Sequence, residues 1–162
     1  MSKVKRILSV IMAMVMVLAM SVPTFAAGEN ATITLKSFDN ANKVEYMQII
    51  QKDETKTSGW AFTNGAGKCF TEAFGLTDSE DVQQQVIWGL IQYKDNSVKL
   101  PTGVTATAAT AAKIDLALSK VAALNGFTET TDKTKIEVSA AGVYAIKAEE
   151  TGFTYKTATA YV

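Results

Sequence analysis

Histidine is absent from the chain, cysteine occurs once (Cys69), arginine once (Arg6) and proline only at Pro23 and Pro101. Without histidine the commonest metal ligand and the usual proton shuttle near neutral pH are missing, which excludes Ser-His-Asp hydrolysis and His-ligated zinc within this segment. A lone cysteine closes no intrachain disulfide, so the fold relies on packing or on another covalent device. Basic clusters are missing too, and with them the footprint expected of a nucleic-acid partner. No second long apolar run follows the first twenty residues. The mature chain is therefore expected to have no membrane span.

What is present begins with an export signal. Lys3, Lys5 and Arg6 form a positive start, Ile7 to Met20 is an almost unbroken apolar stretch, and "VPTFA" ends in small residues that suit cleavage after Ala26. Fourteen residues fall short of the roughly twenty that span a bilayer. Residues 1–26 are thus expected to be a signal peptide and 27–162 a secreted domain. That domain carries 13 lysines against 16 acidic residues, a mild acidity.

Alternation marks the early strands. Ile33 and Leu35 alternate with Thr32, Thr34 and Lys36, and "VEYMQII" places Val44, Tyr46 and Ile50 opposite Met47 and Ile49. The turn formers of "DNANK" between them predict a hairpin. "WAF" at 60–62 returns two aromatics to the core.

Helical spacing takes over next. Phe70, Ala73 and Phe74 predict a short helix closed by Gly75. "TDSEDVQQQVIWGLIQY" predicts a longer one, with a Thr77/Glu80 capping box and a stripe of Val82, Val86, Leu90 and Tyr93 broadened by Ile87 and Ile91. Gly89 inside it predicts a close crossing with another element, and Trp88 helps to bury that crossing. Pro101 opens a "PTG" turn. A third helix is predicted over 106–125, with Ile114, Leu118, Val121 and Leu124 on one face and Gly126 as its stop.

After Phe127 the period returns to two. Ile136 and Val138 alternate, Tyr144, Ile146 and Ala148 share a face, and a final strand is predicted from near Phe153 through Tyr155, Thr157, Thr159 and Tyr161, with Lys156, Ala158, Ala160 and Val162 on its other face. The pattern runs to the last residue, which predicts further chain beyond Val162. Early strands, a helical middle and late strands predict a sandwich-like α+β domain whose early and late strands pair across the helices. Pairing the first strand with the last would spread a stretching force over several hydrogen bonds.

Three stretches, "VEYMQIIQKDETKTSGWAF", "CFTEAFG" and "AGVYAIKAEETGFTYKTATAYV", resemble the amino-terminal domain of sortase-assembled major pilins, the backbone subunits of covalent pili on Gram-positive bacteria. The resemblance covers most of residues 27–162. It implies an immunoglobulin-like β-sandwich with a helical insertion between early and late strands, followed by further domains and a sorting signal. It implies a non-enzymatic structural role in the pilus shaft that supports adhesion. The implied partners are neighbouring pilin subunits, a sortase and a host or carbohydrate surface; the implied location is the cell wall. The family's pilin motif has no match here, so its linkage role does not pass to Lys156, the last lysine. The family also uses Lys–Asn or Lys–Asp isopeptide bonds. Lys36 is the local candidate, but no asparagine follows Asn125 and no aspartate follows Asp132. An exposed strand lysine is the favoured reading of Lys36.

Other local patterns carry blander readings beside sharper ones. Cys69 and Gln84 invite an internal thioester, against a buried inert thiol. "NGAGK" at 64–68 lacks the spacing of a phosphate loop and reads as a turn. Asp78, Glu80, Asp81, Asp115, Glu149 and Glu150 are surface or capping acids, since nothing in their order sets two across a cleft. Tyr144, Tyr155 and Tyr161 could form a carbohydrate platform, the basis of an alternative role as a secreted adhesive or glycan-binding module; alternation places them equally well in a sheet core. No catalytic, cofactor-binding or metal-binding residue is assigned.

Overall fold

A computed structural model describes residues 30–36 and 38–162; the expected signal peptide at 1–26 lies outside them. The chain is α+β, in the order β1 (Ala31–Thr34), β2 (Lys43–Lys52), β3 (Trp60–Phe62), α1 (Ala66–Ala73), α2 (Glu80–Lys94), α3 (Ala111–Val121), β4 (Thr128–Glu129), β5 (Lys135–Val138), β6 (Gly142–Glu150), β7 (Phe153–Thr154) and β8 (Ala158–Tyr161). It packs as two compact units, residues 30–48 with 125–162, and Ile49–Leu124.

The first unit joins early strands to late ones. β1 lies antiparallel to β5, with Ile33 opposite Ile136, and β2 to β4, with Tyr46 opposite Thr128. β6 lies beside β2 and carries β8 on its other side, with Ile146 opposite Ala158. The alternation that marked these segments decides which side chains go inward. Ile33, Leu35, Val44, Ile136, Val138, Tyr144, Ile146, Ala148, Ala160 and Val162 meet in one buried cluster contributed by both sheets. Each fully buried aliphatic side chain there contributes roughly 1.5–3 kcal/mol.

Three expectations are corrected in this unit. β1 and β2 form no hairpin, because Phe38 and Ala41 of the connecting segment are buried in the core and the segment crosses from one sheet to the other. The first strand does not pair with the last: β1 is bonded to β5, and β8 to β6. The final strand is broken between Thr154 and Ala158. The break changes its parity, so Tyr155 joins Ala160 and Val162 in the core while Tyr161 is only half-buried.

In the second unit β3 pairs with the end of β2, Phe62 opposite Ile50. Phe62 stacks against Phe70 of α1 at 4.9 Å between ring centroids. α1 ends in a Schellman closure: Gly75 has φ 75°, its N–H donates to Glu72 O and the Leu76 N–H to Thr71 O. α1 also contacts α3, where Lys120 Nζ lies 3.1 Å from Glu72 Oε2.

α2 begins later than the Thr77/Glu80 box predicts. Its cap is Ser79, whose Oγ accepts from the Val82 N–H at 3.3 Å, with Glu80 and Asp81 filling the first turn. Asp78 is drawn away to the Thr71 hydroxyl and the Gln83 amide. Ser79→Ala is therefore expected to lower stability by about 1 kcal/mol and Thr77→Ala by much less, as measured by urea unfolding.

The predicted stripe on α2 is also shifted. Val86, Ile87, Trp88 and Gly89 are buried, whereas Tyr93 is 47 % exposed. The crossing expected at Gly89 is real, but its partner is a segment outside any helix or strand. The Thr107 N–H donates to Gln85 O at 2.9 Å, and a Cβ on Gly89 would sit 1.8 Å from Thr107 O. That contact shortens the third helix: residues 106–110 are not helical and α3 starts after Thr110, whose hydroxyl accepts from the Lys113 N–H.

Candidate functional site

The singled-out residues do not converge. Lys36 follows β1 and is exposed, not set in the apolar pocket that an isopeptide bond would need. Lys156 is exposed as well. Cys69 on α1 is buried, and that burial, with the Glu72 carboxylate nearby, raises its thiol pKa and disfavours the thiolate. The Gln84 amide is engaged elsewhere, its Nε2 donating to Trp60 O at 2.9 Å and its Oε1 accepting from the Ser58 hydroxyl at 2.8 Å. The two ends of the imagined thioester therefore have separate structural duties.

The segment 64–68 leads into α1, with Asn64 and Gly65 at φ 54° and 80°. The carboxylates are dispersed. Asp78 braces the entrance to α2, Glu80 pairs with Lys56, and Glu150 accepts from the Tyr155 hydroxyl at 2.7 Å. Tyr144 and Tyr155 are buried, and the Tyr144 hydroxyl donates to Ala140 O. These two rings belong to the core. Among the described residues no three His, Cys, Asp or Glu side chains are grouped to hold a metal ion, and no helix is long and apolar enough to cross a membrane.

The most developed polar cluster went unmarked in the sequence. Glu45 on β2, with its side chain only 12 % exposed, lies between Lys43 Nζ at 2.8 Å and Lys147 Nζ of β6 at 3.6 Å. Lys147 Nζ also stands 4.1 Å from the centre of the Phe127 ring. The geometry combines an ion pair with a cation–π contact. The Lys43 hydrogen bond holds the Glu45 carboxyl below its ordinary range, against the opposing effect of burial. The same bond raises the Lys43 amine. Glu45 is thus kept as a carboxylate, and not as the protonated acid that would polarise an amide for attack by lysine. The cluster ties β2 to β6.

Glu45→Gln should cost about 1 kcal/mol, between the values for exposed and buried pairs. The sign of its pH dependence follows from the lowered folded-state pKa. The contribution is fully present above the ordinary glutamate value of 4.5 and is lost as pH falls through the folded value. Urea unfolding of the two proteins should show the gap at neutral pH and its closure on acidification.

The reason this cluster is not visible in the sequence is separation: Glu45 and Lys147 are brought together only when β2 and β6 pair. A glutamate and a lysine at alternate strand positions are common on any solvated face. The chain matches no family model, no curated protein and no solved structure.

Proposed function

We propose that the chain is an exported structural module of a covalently assembled surface pilus, built as an immunoglobulin-like β-sandwich with a helical insertion. It serves in the shaft and supports adhesion, with neighbouring subunits and a sortase as partners, and it performs no catalysis of its own. One observation carries this reading: strands that precede and follow the helices in the sequence form antiparallel sheets, β1 with β5 and β6 with β2 and β8, and both sheets contribute side chains to one buried cluster. A repeated structural subunit needs such a self-sufficient block, and the three pilin-like stretches supply β2, β3, α1 and the β6–β8 region. Lacking a disulfide, the block is held by packing and by ties such as Glu45–Lys147.

The test is an immunoblot of boiled cell-wall extracts from the native host, probed with antibody raised against residues 27–162. A ladder of high-mass bands that collapses when the sortase is deleted is the expected result. A single released band, unaffected by that deletion, would overturn the pilus reading. Binding of that released protein to glycans would favour the secreted adhesive or glycan-binding alternative.

A further inference from the structure

In the unit made of residues 30–48 and 125–162, Ala31 and Val162 lie at the same end of the strands. Ala31 stands opposite Val138, while Val162 and Gly142 exchange backbone hydrogen bonds of 2.7 and 2.9 Å. Only residues 139–141 separate Val138 from Gly142. Two cross-strand steps and four residue steps keep Ala31 and Val162 within about 25 Å of each other. The turn at 38–42 lies at the opposite end. There the Asn42 N–H donates to Glu149 O at 2.7 Å, and Leu35 N–H, just after β1, donates to Thr134 O at 2.7 Å. β2 and β6 run in opposite directions, since Asn42 meets Glu149 at one end and the Gln48 side chain reaches Ala141 O at the other.

We infer that this unit is mechanically anisotropic: weak when pulled through Ala31 and Val162, and strong when pulled between the 38–42 turn and Val162. In the first geometry the two handles leave the same end and are drawn apart across the strands. β1 is stripped from β5 beginning at the Ala31–Val138 pair, and β8 from β6 beginning at Val162–Gly142. Each hydrogen bond bears the load in turn. In the second geometry β2 is drawn towards the turn while β8 is drawn the other way. Both slide against β6, so within each ladder the bonds bear the load together and that ladder must fail as a whole. The β6–β8 ladder, common to both geometries, is therefore unzipped in the first and sheared in the second.

This inference rests on strand register and is independent of the pilus reading. Within a shaft, it means that tension reaches Val162 without opening the unit only if the load enters through the 38–42 turn and not through Ala31.

The test is single-molecule stretching of the full chain with Cys69→Ala and a cysteine appended after Val162, so that handles attach only where intended. One protein carries its second handle at Asn30→Cys and the other at Asn40→Cys, both exposed positions. Equal thermal midpoints establish that both variants are folded. At the same loading rate, the Asn40-to-end pair is expected to unfold at a force at least twofold above that of the Asn30-to-end pair. Equal forces, or a higher force for the Asn30 pair, would overturn the inference.

Discussion

Gly89→Ala is expected to lower the stability of the Ile49–Leu124 unit by about 3 kcal/mol, despite alanine's better helix propensity. The added methyl carbon would stand 1.8 Å from the backbone oxygen of Thr107. Backbone cannot swing aside as a long side chain can, so the 104–109 segment must lift from α2 and give up the Thr107 N–H bond to Gln85 O. That bond is worth about 1 kcal/mol. The propensity gain of alanine over glycine, about 1 kcal/mol, offsets only part of the combined cost. Gly67→Ala is the matched control. Its methyl would meet the amide end of Gln83 at 2.4 Å, a group that can rotate away, so the expected loss is under about 1 kcal/mol. Urea unfolding followed by the fluorescence of Trp60 and Trp88, both in this unit, separates the two substitutions.

Ile146→Ala should be at least as damaging to the other unit, with an expected loss of about 3–4 kcal/mol. Ile146 is 2 % exposed on β6, on the same face as Tyr144 and Ala148, and belongs to the core that residues of both sheets share. Truncation removes three carbons' worth of burial and leaves a void that residues fixed in two hydrogen-bonded ladders cannot collapse to fill. Leu116→Ala offers the contrast. That leucine is 49 % exposed on α3, and its loss should change stability by no more than about 0.5 kcal/mol. Chemical denaturation of the two variants, read by circular dichroism, gives both values.

What the sequence revealed was local and periodic. Ile33 and Leu35, Tyr144 and Ile146, and the Phe70–Phe74 helix with its Gly75 closure announced themselves because one short stretch contains both the pattern and its consequence. Gly89 announced a close approach because a glycine in a helix is costly without a reason. Its partner could not be read, since Thr107 lies eighteen residues away in a stretch whose alanines favour a helix. Contact with α2 overrode that propensity and kept 106–110 out of the helix. The hairpin expectation failed for a related reason. "DNANK" is adequate turn chemistry, but burial of Phe38 and Ala41 outweighs it and carries the chain to the other sheet. The Glu45–Lys147 tie was illegible because it exists only after two strands a hundred residues apart have paired.

Nor did periodicity warn of the break in the last strand. Tyr155 and Tyr161 have the same parity in the sequence, yet Tyr155 stacks on Phe38 at 5.4 Å in the core while Tyr161 remains half-buried. Three residues between β7 and β8 are enough to exchange the faces, and nothing in "TYKTA" contains a glycine or proline to mark the place.

The pairing of β1 with β5 joins strands that precede and follow the helices in the sequence and brings both into one core. Cross-strand nuclear Overhauser contacts in the isotope-labelled protein measure it directly. Contacts between Ile33 and Ile136, and between Ala31 and Val138, are the expected result. A set of contacts linking β1 to β2 as a hairpin, with none to β5, would contradict it.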